Sequence, residues 1–258
     1  APVIVTFTVT PSANGCTGTP LSFDITVNPI PTVSASVSSQ SVCSGNAITS
    51  IAFTGNVSGA VYNWTRDNAG SVTGIAASGS GDISGSLVNN TSAPVTVTFT
   101  ATPVINSCPG TPVTATVTVN PSVNVVATPT SQTICSGGAI TAITFSGNAT
   151  GTIYNWTRDN TSSVTGIAAS GSGNISGTLV NATSAPVTVT FTVTPTANGC
   201  PGTAVTVTVV VNPAVNVVAT PTSQTICSGS AITAIAFSGN ATGTVYNWTR
   251  DNTSSVTG

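Results

Sequence analysis

The sequence has no lysine, glutamate, histidine or methionine, and its 258 residues include only three arginines and five aspartates. Three scattered cations exclude a nucleic-acid surface, which needs clustered Lys and Arg to displace counterions from phosphates. Without histidine, glutamate or clustered aspartates there is no set for general acid–base work, and the many hydroxyls have no activating base. No enzymatic activity, catalytic residue or cofactor is therefore expected. The missing lysine also removes Lys–Asn isopeptide staples. No metal site is expected, since the cysteines are far apart and have no histidine partners, and the inter-repeat junctions hold no carboxylates for calcium. Thr, Ser or Asn interrupts every apolar run before the roughly 18 residues of a membrane helix, so no membrane span is expected. Recurrent alternation of Val, Ile, Phe and Thr argues equally against disorder.

What the sequence does have is a long internal repeat. The octet at residues 61–68, Val-Tyr-Asn-Trp-Thr-Arg-Asp-Asn, returns at 153–160, with Ile153 in place of the valine, and unchanged at 245–252, a spacing of 92 residues. Every Trp, Tyr and Arg of the chain lies in these octets. A period of that length is a domain rather than a solenoid turn. The expected organisation is the C-terminal part of a repeat at 1–29, complete repeats at 30–121 and 122–213, and the N-terminal part of a repeat at 214–258. Both ends fall inside repeats, so the half-domains are expected to be completed by a longer polypeptide or by neighbouring chains.

Alternation is clearest where Val95, Val97 and Phe99 interleave with Thr96, Thr98 and Thr100, the pattern of a half-buried strand. Further strands are expected at 3–10, 21–27, 32–37, 47–53 and 113–119, with turns at 43–46 and 103–110. In the octet, Tyr62, Trp64 and Arg66 share one strand face while Asn63 and Thr65 share the other. About seven short strands per repeat without helical periodicity give an all-β chain of tandem immunoglobulin-like β-sandwiches. Trp64, Trp156 and Trp248 are expected in the cores with Phe99 and Phe191; the competing role is a sugar-binding platform. Arg66 and Asp67 point to opposite faces and need not touch. Junctions at 27–31, 119–123 and 211–215 pass through prolines, which restrict the angle between neighbours and favour a semi-rigid rod.

Six cysteines occur in two contexts: Cys16, Cys108 and Cys200 before Thr-Gly or Pro-Gly, and Cys43, Cys135 and Cys227 before Ser-Gly. They are disulfide candidates for an oxidising, extracellular setting. Two pairings stand open. Within each repeat, Cys43 would bond Cys108 and Cys135 would bond Cys200; alternatively, Cys43 would reach Cys200 across a junction. Twelve Asn-x-Ser/Thr sequons accompany an almost uncharged surface.

The motifs Cys43-Ser44-Gly45, Tyr62-Asn63-Trp64, Cys108-Pro109-Gly110 and the run from Val117 to Pro121, with residues 95–103, together resemble the PKD-like, immunoglobulin-like repeats of giant secreted surface proteins of Bacteroidota, including gliding-motility adhesins. The resemblance covers essentially the whole chain. It implies an extracellular stalk or filament segment at the bacterial cell surface, serving adhesion or display. The implied partners are neighbouring repeats of the same long chain, other copies in a filament, and surface glycans. The alternative is carbohydrate-binding accessory repeats of a secreted multidomain enzyme.

Overall fold

The computed structural model describes residues 1–252, 254 and 255, and every regular element among them is a β-strand. The chain divides into two compact units, Ala1–Ser122 and Val123–Gly258, with one complete sandwich in each.

In the first unit, alternation makes the tryptophan strand Val61–Arg66 and the long strand Val95–Ile105 the centre of a sheet. The order across it is Ser78–Ser80, the tryptophan strand, the long strand, the return strand Val113–Asn120, and Ser39–Cys43. All pairings along this path are antiparallel except the last, in which Ser39–Cys43 runs parallel to the return strand. Short pairs, Ser34–Ala35 with Phe53–Thr54 and Val72–Gly74 with Leu87–Asn89, supply the opposing layer. The second unit repeats this with Ser170–Ser172, Ile153–Arg158, Val187–Ala197, Val205–Asn212 and Ser131–Cys135 in the same order.

Valines and Phe99 of the long strand point inward, where they meet Ile51, Ile83 and Leu87 of the opposing layer. Trp64 is 7 % exposed and packs edge-on to Phe99 at 5.8 Å; Trp156 and Phe191 repeat this at 5.8 Å. Such aromatic contacts add about 0.5–1.5 kcal/mol beyond area burial. The threonines face outward, and Thr96 and Thr118 join their hydroxyls across the strands at 3.2 Å.

The structure corrects several local expectations. Ser39–Cys43 is a strand that alternation does not reveal, because four of its five residues are polar or cysteine. Gln40 fixes it by accepting from Thr49 N (2.8 Å) and donating to Thr49 O (2.9 Å). The expected strand at 47–53 is reduced to single bridges, Ala47 to Ser86 and Ile51 to Ile83, followed by Phe53–Thr54. Its apolar residues Ile48, Ile51 and Phe53 do not share the period of two that a continuous strand requires. The expected strand at 32–37 is likewise only Ser34–Ala35. The turn expected at 103–110 is tighter: the long strand runs through Pro103 to Ile105, and Asn106 and Ser107 make the bend at φ 46° and 67°. Pro103 is tolerated because pairing with the return strand ends at Ala101, so that edge asks no donor of it.

The partial repeats differ from the complete ones. Val3–Val9 pairs with Leu21–Val27, and both strands are exposed along their length, with Phe7 stacked on Phe23 at 5.4 Å. Beyond residue 213, Val218–Thr220 pairs with Ala236–Ser238. Trp248, expected in a core, is 73 % exposed. The phenylalanine strand that covers Trp64 and Trp156 has no equivalent after Trp248 in this sequence.

Two substitutions test these assignments by urea unfolding. Phe99→Ala should lower stability by about 3–5 kcal/mol, the range for emptying a well-packed aromatic site. Ser107→Gly should raise it by about 1 kcal/mol, since a left-handed conformation costs an L-residue roughly that much.

Candidate functional site at the sandwich ends

The octet that dominates the sequence is structural. The indole of Trp64 leaves no room on the neighbouring strand: a Cβ on Gly79 would lie 2.4 Å from its ring, and one on Gly171 would lie 2.3 Å from Trp156. Trp156 Nε1 donates to Gly173 O at 3.1 Å, whereas Trp64 Nε1 is buried with no acceptor in hydrogen-bonding distance. With Trp64 and Trp156 turned inward, neither offers a sugar platform.

Arg66 gathers loop carbonyls. Its Nε donates to Ile75 O (2.9 Å) and Ala76 O (3.1 Å), while Nη2 donates to Val72 O at 3.0 Å. Partial burial lowers the guanidinium pKa, and neighbouring Asp67 opposes that shift. Asp67 Oδ1 accepts from Thr98 N at 2.7 Å, and Asn68 Nδ2 donates to Thr96 O at 2.6 Å. The Arg-Asp-Asn triplet therefore pins the loop from 67 to 76 onto the long strand, and Arg158, Asp159 and Asn160 repeat these contacts. Asp82 holds Phe53 N at 3.1 Å.

Two sequon asparagines are internal struts that sequence reading did not single out. Asn89 is buried, donates to Ala93 O and Val119 O at 2.7 Å each, and accepts from Thr91 N at 2.9 Å. Asn181 does the same with Ala185, Val211 and Thr183. A tyrosine-free, charge-free strand end signals this role only through Asn-x-Thr followed by Ser-Ala-Pro, which both repeats share.

The cysteines lie at the sandwich ends. Cys43 closes its parallel strand opposite Asn120, while Cys108 follows the bend at the other end of the return strand. The eight residues of Val113–Asn120 separate them, roughly 24 Å at about 3.3 Å per residue, against the limit of about 7 Å between Cα atoms for a disulfide. Cys135 opposite Asn212 and Cys200 after the bend repeat this separation. Pairing within a repeat is thus excluded: Cys108 and Cys135 are free thiols, as are Cys16 and Cys227. Cys43 and Cys200 are disulfide-bonded.

Within the first unit, the bend of the complete sandwich meets the segment that leads into it. Asn106 Nδ2 donates to Asn28 Oδ1 at 3.2 Å, and Asn28 Nδ2 lies 3.8 Å from Cys108 Sγ. Pro31 is buried, and a Cβ on Gly110 would stand 1.8 Å from its carbonyl oxygen. Gly202 stands in the same relation to Val123, at 2.0 Å. This clasp immobilises the proline linker against the sandwich that follows it. Among the described residues no group of three or more His, Cys, Asp and Glu could hold a metal ion, and no helix is long and apolar enough to cross a membrane.

The clasp predicts the effect of Gly110→Val. The variant should be cleaved at residues 28–32 at least about tenfold faster in limited proteolysis, the factor that corresponds to about 1.4 kcal/mol of local opening.

Comparison with known proteins gives matches of two kinds. Among solved structures, the first two immunoglobulin domains of DIP-gamma align with 72 % of this chain and 98 % of theirs, at 9 % identity and a TM-score of 0.41. The D00-D0 domain of intimin aligns with 69 % of this chain and 99 % of its own, at 15 % identity and a TM-score of 0.35. Cadherin domains 1–4 of protocadherin gamma B7 align with 82 % of this chain and 57 % of theirs, at 12 % identity and a TM-score of 0.34. No curated protein matches. The PKD-like domain model matches twice in series, at residues 40–123 and 132–215, which together make up most of the sequence. The chain therefore belongs to the PKD-like domain family, a structural and non-catalytic one, and carries two such domains in tandem.

Proposed function

We propose that this chain is a segment of an extracellular stalk or filament, built from PKD-like repeats and serving display or adhesion at a cell surface. The observation that carries this reading is the clasp: the bend of a sandwich holds the proline linker entering it through Asn28, Asn106 and the Gly110–Pro31 contact. A linker held in this way transmits load between successive repeats, whereas a free linker would absorb it by extending. The disulfide-bonded state of Cys43 and Cys200 suits an oxidising, extracytoplasmic setting. The residue motifs favour a giant secreted surface protein of Bacteroidota as the parent, of the kind that includes gliding-motility adhesins. Complete repeats 30–121 and 122–213 are the mechanical units in this reading.

A second reading, carbohydrate-binding repeats accessory to a secreted enzyme, draws on a different feature. Asn63, Thr65, Ser78, Ser80, Thr100 and Thr102 line a shallow polar depression on the outer sheet face, and the second sandwich repeats it. The stalk reading is preferred because no complete repeat offers an exposed tryptophan beside that depression.

Antibodies against this chain, applied to intact cells that produce it, test the stalk. Surface labelling that disappears after external protease treatment is the expected result. Labelling only after permeabilisation would overturn the extracellular assignment. Micromolar binding of a glycan, abolished by Thr65→Ala with Thr100→Ala, would favour the second reading.

A further inference from the structure

The large sheet of each complete sandwich turns one face to the core and the other to solvent, and near the tryptophan its outward side chains form two short rows. Ser78, Thr65 and Thr100 lie opposite one another on three adjacent strands, and so do Ser80, Asn63 and Thr102. With strands about 4.8 Å apart and outward residues of one strand about 6.8 Å apart, the two rows frame a patch roughly 10 Å by 7 Å. No side chain in them is larger than Asn, so the pleat stays open, and Trp64 and Gly79 between the rows complete its lining. The depression measures about 460 Å³, and its counterpart in the second sandwich about 450 Å³. Both fall within the roughly 300–1,000 Å³ of small-molecule sites.

The polar groups of this patch are unused by the fold. Farther along the same face Thr96 and Thr118 bond each other, while Asp67, Asn68 and Asn89 are each engaged by backbone groups. Among the described residues, no side chain of the two rows, nor of their counterparts 92 residues later, bonds another group of the protein. All of them are hydroxyls or amides, able both to donate and to accept. No charged side chain lines either depression. A carboxylate, sulfate or phosphate would only accept here and would leave its charge unpaired, and an ammonium would only donate. A sugar hydroxyl does both, and the threonine methyls suit the C–H groups beside it. The counterpart rows, Ser170 with Thr157 and Thr192 and Ser172 with Asn155 and Thr194, keep the same residue type at every position.

We propose that each of these depressions binds a short stretch of a neutral glycan, and that the pair forms the adhesive contact of the stalk. The site rests on the adhesive part of the stalk reading and gives it a ligand class. Without an exposed aromatic ring, a sugar is held here by hydroxyl and amide bonds that replace bonds to water, so one site alone is weak, about millimolar. Repetition supplies the strength. A polymer that reaches two sites binds roughly a hundredfold or more tighter than a ligand of either one. A single site of micromolar affinity is what the enzyme-accessory reading expects instead.

The test presents the full 258-residue chain to immobilised mannan, laminarin and galactan, with heparin and polygalacturonate as charged controls, in biolayer interferometry. Binding to at least one neutral polysaccharide and to neither charged one is expected. A short oligosaccharide of the bound polymer should shift the amide NMR signals of residues 63–65, 78–80 and 100–102 and of their counterparts, with about millimolar affinity. Thr65→Val with Thr100→Val replaces two hydroxyls by methyls on the solvent face and should leave the urea midpoint unchanged. It should abolish the shifts in the first sandwich, keep those in the second, and weaken polymer binding at least about tenfold. Failure to bind all three neutral polysaccharides would overturn the proposal, as would binding of either charged one or unchanged polymer affinity in the double variant. Micromolar affinity of one site for the oligosaccharide would overturn the multivalent mode. Surface labelling tests the stalk by itself, so glycan binding by a chain absent from the cell surface would sustain the site and refute the stalk.

Discussion

Each complete sandwich depends on one contact, the indole of Trp64 or Trp156 held between the edge of a phenylalanine and the bare backbone of a glycine. Phe99 approaches Trp64 at 5.8 Å from the neighbouring strand on one side, and Gly79 gives the ring its space on the strand at the other side. Around this contact the valines of the long and return strands and the isoleucines of the opposing layer close into one cluster. The short strands of the opposing layer contribute few ladder bonds of their own. Their position follows from burial of Ile51, Ile83 and Leu87 against the tryptophan sheet.

With almost no charge available, polar side chains do the work that ion pairs do in other domains. Arg66 binds carbonyls, Asp67 binds a backbone N–H, and Asn89 satisfies two strand-end carbonyls in a site closed to water. Hydrogen bonds to charged groups, worth about 1.5–3 kcal/mol, exceed the 0–1 kcal/mol typical of exposed ion pairs. Loops rich in Gly, Ser and Ala, which pack little by themselves, are thereby fixed to the sheet. The same economy serves the outer faces, where paired threonines present hydroxyls to solvent in place of charge.

The ends of each sandwich hold its cysteines and, in the first unit, the contacts to the preceding linker. The return strand is long enough to keep the two cysteines of one repeat apart, so they do not bond each other. The bend at Asn106 and Ser107 meets the preceding linker through Asn28, and the carbonyl of Pro31 leaves no room for a side chain at Gly110.

The all-β class, the repeat of 92 residues, the central strands and the inward tryptophans were legible in the sequence, because alternation over many residues and exact recurrence are properties of the chain itself. Tyr62, Trp64 and Arg66 fall on one face of any extended strand, whatever surrounds it. The parallel strand Ser39–Cys43, the broken layer at residues 47–53, the internal role of Asn89 and the state of each cysteine were not legible. A parallel edge strand of polar residues leaves no periodic signal, since its position is set by a return strand some 75 residues away. Whether two cysteines can bond depends on which end of a strand each occupies, and strand direction is fixed only when the sheet is assembled. The sequence by itself determined what must be buried; the tertiary structure decided which ends meet, because proximity across a sheet is a matter of topology that spacing along the chain does not contain.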